Sequence, residues 1–284
     1  TALGNLVANH ENVCIYGAPK SGKTSLVHQA LINLKTSGVG VEVPSCDLSG
    51  VRTIGEFVTS LVSSLMRQLC DGPSDYADFM EHFLSGTGFA FDEALYEDFG
   101  KLAVLCGDVS EADVTEALTL PYRVASERAC NLCVVFDEFQ NIMEINGFES
   151  ILKEMERVAV DNAGSGASYI FCGSSVNAMK WMFEYKKYFF RNVAVLPMSP
   201  ITEQEVIDHV VDGFRPTGKV IEKDLIQAPY RVFGGNMWYI NLMASFCNAR
   251  AIGYINEKTI RDSIETVISL NEPRFRMIVA DLTV

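Results

Sequence analysis

Short apolar runs along the chain alternate with stretches in which apolar residues recur at helical spacing. The strand-like runs occupy residues 12–16, 39–46, 132–136, 168–175 and 193–196, and the helical patterns occupy residues 25–34, 53–69, 122–130 and 148–160. This alternation predicts an α/β fold in which helices cover both faces of a mostly parallel sheet. Because ligands of such sheets bind where the strands end, the residues that follow each strand are the candidates for chemistry.

The first predicted strand leads into a glycine-rich loop of the form G-x-x-x-x-G-K-[ST]. The nucleotide-binding candidates are Gly17, Ala18, Pro19, Lys20, Ser21, Gly22, Lys23 and Thr24, together with Ser25 at the start of the next helix. The backbone N–H groups of such a loop and the positive end of the helix dipole converge on one anion. Lys23 adds a charge at the outer phosphates, and Thr24 offers a hydroxyl to Mg²⁺. The loop predicts a nucleoside triphosphate site, and the alternative is an ordinary glycine-rich turn.

Two acidic residues end a strand that is otherwise apolar. Residues 132–136 lead directly into Asp137 and Glu138. A buried parallel strand has little reason to carry paired carboxylates at its tip unless they face a ligand. In phosphoryl-transfer proteins the first acid binds Mg²⁺ and the second polarises the attacking water, so we assign Asp137 to the metal and Glu138 to the general base. The alternative is a solvated strand end.

Negative charge is concentrated in one part of the chain. The 284 residues, 48% of them hydrophobic, can form a nucleotide-binding domain and a smaller second domain. The net charge is -13, and residues 71–120 hold twelve acidic residues against one basic residue, Lys101, which gives -11. Interleaved aromatic residues predict helices and loops inserted between core strands. This acidic insert repels nucleic acid, and it is either a solvated face or a docking surface for a protein partner.

Cysteine usage and hydropathy indicate the compartment. Four of the eight cysteines, Cys14, Cys46, Cys133 and Cys172, fall in predicted strands, which is typical of a reducing environment. Cys130 and Cys133 form a C-x-x-C pair without a second pair nearby, so we do not expect a metal there. No run of about 18 uncharged apolar residues predicts a membrane span, and no basic segment predicts a signal peptide. We therefore expect a cytoplasmic protein.

Helical patterns dominate from residue 201 onward. Thr202 and Glu205 form a capping box for a helix that runs to Phe214, and further helices are predicted at residues 222–228 and 237–250. The resulting division is a core at residues 1–200 with the insert at about 71–120, a helical lid at 201–270, and a linker or the start of a truncated segment at 271–284.

Several of these segments together resemble the archaeal-type ATPase family, which is similar to the AAA+ proteins and is placed among the signal-transduction P-loop ATPases of the STAND class. The resemblance covers nearly the whole chain. It rests on residues 134–140 with the tetrad Asp-Glu-Phe-Gln, residues 171–175, Phe190 with Arg191, the turn at residues 197–200, and Gly234-Gly235-Asn236. Met237 stands where a proline is usual, and the family's amino-terminal adenine-binding segment has no counterpart here, so the adenine contacts are unassigned.

The resemblance implies a three-layer P-loop NTPase core of AAA+-like, additional-strand (ASCE) topology, a helical lid domain and often a winged-helix segment at the carboxyl end. Because the sequence reaches Val284 before a winged helix could be completed, we expect a fragment of a longer protein. It implies that ATP or ADP and Mg²⁺ bind, and that Ser174 or Ser175 is a polar sensor near the γ-phosphate. It also implies that Arg191 lies close to a nucleotide site, either in its own chain or in a neighbouring subunit of an oligomer. The alternative for Arg191 is a salt bridge with a nearby acid. Gly234 and Gly235 either let the backbone of the lid approach the nucleotide or form an ordinary helix-start turn.

The leading hypothesis is an ATP-hydrolysing switch in which Glu138 is the base and nucleotide state moves the lid. A nucleotide-gated scaffold with negligible turnover is a second hypothesis, in which the acidic insert or the lid recruits a protein partner. A DNA-remodelling or initiator-type ATPase would need a basic surface that the sequence lacks. A small-molecule kinase would need an acceptor pocket that the sequence does not reveal.

Overall fold

The computed structural model describes residues 2–282, without the side chains of residue 274 and residues 277–282. The chain forms two compact units, residues 1–19 with 23–198 and residues 20–22 with 199–284. In the described range, no helix combines the length and the apolar character needed to cross a membrane. The first unit contains all the strands that the sequence predicts.

Strands and helices alternate through the first unit. Its strands are β1 (Asn12–Tyr16), β2 (Val41–Glu42), β3 (Ser45–Asp47), β4 (Phe89–Ala90), β5 (Val104–Leu105), β6 (Asn131–Asp137), β7 (Ala167–Gly173) and β8 (Val193–Pro197). Its helices are α1 (Ala2–Ala8), α2 (Lys23–Thr36), α3 (Ile54–Leu69), α4 (Pro73–Leu84), α5 (Glu93–Phe99), α6 (Glu111–Glu127), α7 (Phe148–Asp161) and α8 (Val176–Lys180). A 3₁₀ turn at Phe139–Glu144 follows β6, and a π-helical turn at Trp181–Tyr185 follows α8.

The central sheet is parallel and has six strands. The order is β2 and β3 beside β6, then β7, β1 and β8. Every pairing in this sheet is parallel, including β1 with β8, whose register joins Asn12 to Val193 and Tyr16 to Pro197. Strand β7 therefore separates the strand before the glycine-rich loop from the strand that ends in Asp137, which is the predicted additional-strand order.

Both faces of the sheet are buried because successive side chains of each strand point to opposite sides. Tyr169 and Phe171 of β7 belong to a core shared with α3, α4, α6 and α7. The neighbouring Ile170 and Cys172 belong to a second core shared with α1 and α2. The three-layer P-loop NTPase fold predicted from the sequence is confirmed.

Two elements of the first unit differ from the sequence-based prediction. The strand predicted at residues 39–46 is split into β2 and β3, because Pro44 lies between them and cannot donate a ladder hydrogen bond. The helix predicted to begin at Tyr122 begins at Glu111, where Ser110 and Asp113 form a capping box. Pro121 lies inside that helix, one residue before the predicted start.

The acidic insert is folded and carries most of its charge on the surface. It contains α4, α5 and an antiparallel ribbon of β4 with β5, which the sequence pattern did not reveal, and α6 begins within it. Tyr76 and Phe79 of α4 are buried, so the insert is anchored to the core by its aromatic residues. Ten of its twelve acidic residues are exposed.

The second unit has a helical core of its own. Its helices are α9 (Glu203–Phe214), α10 (Gln227–Val232), α11 (Met237–Arg250) and α12 (Glu257–Leu282), and a short parallel pair joins β9 (Val220–Ile221) to β10 (Tyr254–Ile255). Val206, Ile240 and Ile260 belong to its buried cluster. The capping box of Thr202 and Glu205 is present as predicted.

The second unit also departs from the predicted pattern. The helix predicted at residues 222–228 is a 3₁₀ turn at Lys223–Ile226 that continues into α10. Gly234 and Gly235 both adopt left-handed backbone angles, and the side chain of Asn236 caps α11 by accepting from the Trp238 backbone N–H. The two glycines therefore form the turn that precedes α11. Residues 271–282, predicted as a linker or a first helix, lie within α12.

Candidate functional site

Three predicted polar motifs meet at the carboxyl ends of β1, β6 and β7. The backbone N–H of Gly17 donates to the carbonyl of Gly173 at 3.3 Å, which ties the start of the glycine-rich loop to the end of β7. A side chain at Gly173 would collide with Met179, since a Cβ there would lie 2.3 Å from the methionine sulfur. Glycine at this position therefore lets α8 pack closely behind the site.

Lys23 is buried at the first position of α2. Only 6% of its surface is exposed, and its Nζ donates to the carbonyls of Gly17 at 2.9 Å and Ala18 at 3.0 Å. Burial lowers the pKa of Lys23, and the nearby carboxylates of Glu138 and Asp137 oppose that shift. A buried ammonium group that donates to carbonyl oxygens and has no carboxylate in direct contact in the described part of the chain is well placed to pair with a phosphate.

The loop itself has the backbone geometry of an anion cradle. Gly22 has a φ of +91° and Lys20 a φ of +62°, and such left-handed residues turn successive N–H groups toward one point. The hydroxyl of Ser21 is buried and has no hydrogen-bond partner in the described part of the chain. An unsatisfied buried hydroxyl beside these N–H groups fits a loop shaped for a ligand with oxygen atoms. Ser25 is exposed on the first turn of α2.

Thr24 and Asp137 come together from different elements. The Thr24 hydroxyl donates to Oδ2 of Asp137 at 3.3 Å, although 113 residues separate them in the sequence. Oxygen ligands of this kind, few in number and completed by phosphate oxygens, suit Mg²⁺. The residues present therefore fit the ion that the fold implies.

Glu138 lies in a hydrogen-bonded network with Ser174 and Gln140. Its Oε2 accepts from the Ser174 hydroxyl at 2.5 Å and from the Gln140 amide at 2.5 Å. Glu138 has a φ of +50°, a left-handed angle that is uncommon for a residue with a side chain and that recurs at functional sites. Sequence reasoning noticed Gln140 only as the last residue of the family tetrad and assigned it no role. Ser175 is exposed at the cap of α8 and makes no side-chain cap bond.

A family model describing an ATPase domain found predominantly in Archaea matches residues 6–243 of the chain. The chain belongs to this family. It is an ATPase domain, and the resemblance inferred from the sequence is confirmed at this level. No curated protein matches the sequence significantly.

Solved structures share the fold of this ATPase domain at low sequence identity. The Walker-type ATPase PABY2304 of Pyrococcus abyssi is 14% identical with a TM-score of 0.66, covering 99% of this chain and 73% of that one. The Aeropyrum pernix ORC2 protein in ADPNP–ADP complexes is 14% identical with a TM-score of 0.61, covering 95% and 68%. The Aeropyrum pernix ORC1 protein in complex with DNA is 12% identical with a TM-score of 0.58, covering 94% and 63%. These likenesses show a shared AAA+-like fold.

Arg191 does not join the cluster in its own ATPase domain. It precedes β8, and the side-chain amide of Asn12, which begins β1, donates to the carbonyl of Asn192 at 3.1 Å. Because β1 and β8 run parallel, the glycine-rich loop lies four residue steps away at the other end, roughly 13 Å along the strands. Arg191 stacks on Phe190 at 5.4 Å and forms no ion pair with an acid in the described range. The salt-bridge alternative therefore has no partner in this range.

Tyr16, the last residue before the loop, makes a contact with Glu184 that the sequence did not predict. Its hydroxyl donates to Glu184 in the π-helical turn after α8, and the Met198 backbone N–H donates to the Tyr16 carbonyl at 2.8 Å. Burial and the hydrogen bond to Glu184 raise the pKa of Tyr16 to about 12. The contact between Tyr16 and Glu184 fixes the end of β1 at which the loop begins. These two residues lie 168 positions apart, so no local sequence pattern predicts their contact.

Proposed function

We propose that this ATPase domain hydrolyses ATP in a Mg²⁺-dependent reaction and serves as a molecular switch of the STAND type. The proposal depends mainly on one observation, the contact between Thr24 and Asp137 at 3.3 Å. That contact brings the end of the phosphate-binding loop to the acidic end of a neighbouring strand. A metal-assisted phosphoryl transfer needs these two groups at one point.

The loop would bind the triphosphate. Backbone N–H groups of Ala18 and of residues 20–24 would surround the inner phosphates, and Ser25 would add the N–H of the first helical turn. The ammonium group of Lys23 would exchange its carbonyl partners for oxygens of the outer phosphates. That exchange restores a full charge partner to a buried cation, which favours binding.

Thr24 and Asp137 would hold the metal ion. When bound, Mg²⁺ neutralises charge on the phosphate oxygens as the bond to the leaving group breaks. The carboxylate of Asp137 is also oriented by the chain, since its Oδ1 accepts from the Glu138 backbone N–H at 3.0 Å. This bond leaves Oδ2 for Thr24 and the ion.

Glu138 would act as the general base and Ser174 as the polar sensor. The carboxylate of Glu138 would accept a proton from the water that attacks the γ-phosphate. The Ser174 hydroxyl, 2.5 Å from the same carboxylate, would donate to a γ-phosphate oxygen. Arg191, at the far end of β8, would act on the site of a neighbouring subunit, where a guanidinium can stabilise transition-state charge.

The nucleotide state would be transmitted to residues 201–270, which belong to the second unit, as a lid movement. The ten exposed acidic residues of the insert support a role in docking a protein partner with a basic surface. They disfavour nucleic acid as a ligand of this part of the chain. The eight cysteines are all free thiols, which supports a cytoplasmic location.

A steady-state hydrolysis assay tests the proposal. Mg²⁺-dependent phosphate release by the wild type should fall about 10²- to 10⁴-fold in Glu138→Gln, because the base is lost, while ATP still binds. Glu144→Gln is the matched control, since this exposed acid ends the 3₁₀ turn that begins directly after Glu138. It should keep the wild-type rate, and chelation of the metal should stop release.

Two results would favour an alternative function over the ATP-hydrolysing switch. Tight ATP binding by the wild type without phosphate release above background would favour the nucleotide-gated scaffold. Binding of duplex DNA that weakens steeply with salt would favour a DNA-associated remodelling ATPase.

A further inference from the structure

We infer that Gln140 is a positioning residue that holds Glu138 and Ser174 together as one hydrogen-bonded unit. The inference rests on the proposed function, since it gives that base and that sensor a shared support. Gln140 itself would touch neither nucleotide nor water. Gln140 would instead fix the positions of the Glu138 carboxylate and the Ser174 hydroxyl, which contact the water and the nucleotide.

Both ends of the Gln140 amide are engaged. Its Oε1 accepts from the backbone N–H of Ser174 at 3.1 Å, which fixes the end of β7 relative to the turn after β6. Its Nε2 donates to Oε2 of Glu138 at 2.5 Å and to the hydroxyl oxygen of Ser174 at 3.3 Å. A glutamine amide offers two N–H donors and one carbonyl acceptor, and all of them are used here.

The count of protons explains why a third residue is needed. The Ser174 hydroxyl has one proton, which it gives to Glu138 at 2.5 Å. When that proton turns to a γ-phosphate oxygen, the direct bond between Ser174 and Glu138 is lost. The two N–H groups of Gln140 still reach both residues. Gln140 therefore keeps the base and the sensor together through the step in which their own contact breaks.

The backbone holds Gln140 in this position. Phe139 and Ile142, in the same 3₁₀ turn, are fully buried, which anchors the turn to the core. The Asn141 backbone N–H donates to the Glu138 carbonyl at 3.0 Å, so the turn begins at the residue that Gln140 supports. Two side chains packed in the core thus orient a half-exposed amide toward the site.

The test compares Gln140→Ala and Gln140→Glu with Asn141→Ala as the matched control. Asn141 belongs to the same turn and is half-buried, and no hydrogen bond of its side chain is seen among the described residues. Single-turnover hydrolysis and equilibrium binding of ADP and of a non-hydrolysable ATP analogue are measured for each protein. Thermal unfolding midpoints show whether each variant remains folded.

We expect Gln140→Ala to slow hydrolysis about 10- to 100-fold, the usual range for a residue that supports a reacting group. Its affinity for ADP should stay within about twofold, and its preference for the ATP analogue over ADP should fall about threefold or more, because Ser174 is no longer held. Gln140→Glu should be at least as slow, since it replaces a donor to Glu138 with a second carboxylate. Added to Glu138→Gln, the Gln140→Ala change should cost less than about twofold more.

The inference is overturned if Asn141→Ala causes the same losses, if Gln140→Ala leaves both rate and nucleotide preference unchanged, or if its effect adds in full to that of Glu138→Gln. Failure of the proposed function gives a different result, in which the wild type itself is no faster than Glu138→Gln. In that case the nucleotide preference decides alone. A preference that falls in Gln140→Ala supports the positioning role, and one that does not change rejects it.

Discussion

The two ends of the central sheet carry different parts of the predicted chemistry. At the carboxyl end, Thr24, Asp137, Glu138 and Ser174 lie within hydrogen-bond reach of one another in a chain of contacts. At the amino end, Arg191 lies beside the beginning of β1 and contacts none of them. The difference follows from strand direction, because residues that follow parallel strands converge and a residue that precedes a strand is carried to the opposite end.

The two ends of the sheet would therefore serve different steps: the carboxyl end would bind nucleotide within one chain, and Arg191 at the amino end would act on a neighbouring subunit. In the proposed mechanism, the carboxyl-end cluster would supply the groups that hold a metal-bound triphosphate. The guanidinium of Arg191 at the amino end is about a strand's length away, and in the proposed mechanism it would act on the site of a second molecule.

The core that connects the two ends provides the largest expected effect. Phe171 of β7 packs 4.6 Å from Phe139 near the site and 5.0 Å from Phe189 near Arg191, measured between ring centroids. Phe171→Ala should lower the free energy of unfolding by about 3–5 kcal/mol in urea denaturation, because it leaves a cavity in a fully buried cluster. Phe99→Ala, at a ring that is 71% exposed, should change it by less than about 0.5 kcal/mol. Similar values for both would mean that this cluster does not support the sheet.

Removal of the buried ammonium tests the carboxyl end directly. Lys23→Ala should weaken ATP binding by about 2–5 kcal/mol, which is roughly 30-fold or more, because phosphate loses its buried charge partner. The exposed Lys35, on the last turn of the same helix, provides the control, and Lys35→Ala should bind as the wild type does. Titration calorimetry measures both. Equal ATP affinities for the wild type and Lys23→Ala would contradict the assignment of Lys23 to a phosphate-binding site.

The Tyr16 contact should contribute a smaller, pH-dependent effect. Tyr16→Phe loses the hydrogen bond to Glu184 and should cost about 1 kcal/mol of unfolding free energy near neutral pH. The unfolded chain releases the phenol proton near pH 10, whereas the folded protein holds it to about 12, so the wild type loses stability across this window as pH rises. The difference between the two proteins should therefore shrink above pH 10.

Denaturant titrations at pH 8, 10 and 11 measure that difference. Tyr185→Phe, at a ring that is 84% exposed, is the control and should leave the unfolding free energy unchanged. A difference that grows with pH would contradict the assigned contact.

The smallest expected effect belongs to the amino end. Arg191→Ala should change the ATP affinity of dilute protein by less than about twofold, because Arg191 lies roughly 13 Å along the strands from the loop. The same calorimetric titration used for Lys23→Ala measures it. A loss as large as that of Lys23→Ala would mean that Arg191 belongs to its own nucleotide site, and the distinction between the two ends would fail.

Local patterns were sufficient for most of the fold and for the position of the site. The apolar run at residues 132–136, the glycine-rich loop and the cap of α9 by Thr202 and Glu205 each depend on a few neighbouring residues. Each is found where the sequence pattern predicts it. Parallel strands then bring the residues that follow them together. The convergence of Thr24 with Asp137 was predictable for this reason.

The features that escaped prediction depend on partners distant in sequence. The ribbon of β4 with β5 pairs Phe89 with Leu105, although α5 separates them in the sequence. No local sequence pattern specifies that pairing. The engagement of Gln140 with Ser174 joins residues 34 positions apart. Arg191 is a different case: the family resemblance implied closeness to a nucleotide in its own chain or in a neighbouring subunit. The parallel direction of β8 carries Arg191 to the end of the sheet opposite the loop of its own chain.

The central claim is that Thr24 and Asp137 hold one metal ion on the triphosphate. A double-mutant cycle with Thr24→Val and Asp137→Asn, measured by calorimetric ATP titration with Mg²⁺ and again with EDTA, tests it most directly. We predict that each single change weakens Mg²⁺-ATP binding about tenfold, that the pair together is less than about twofold worse than either, and that this coupling disappears in EDTA. Fully additive losses with Mg²⁺ present, or the same coupling without it, would contradict the shared ion.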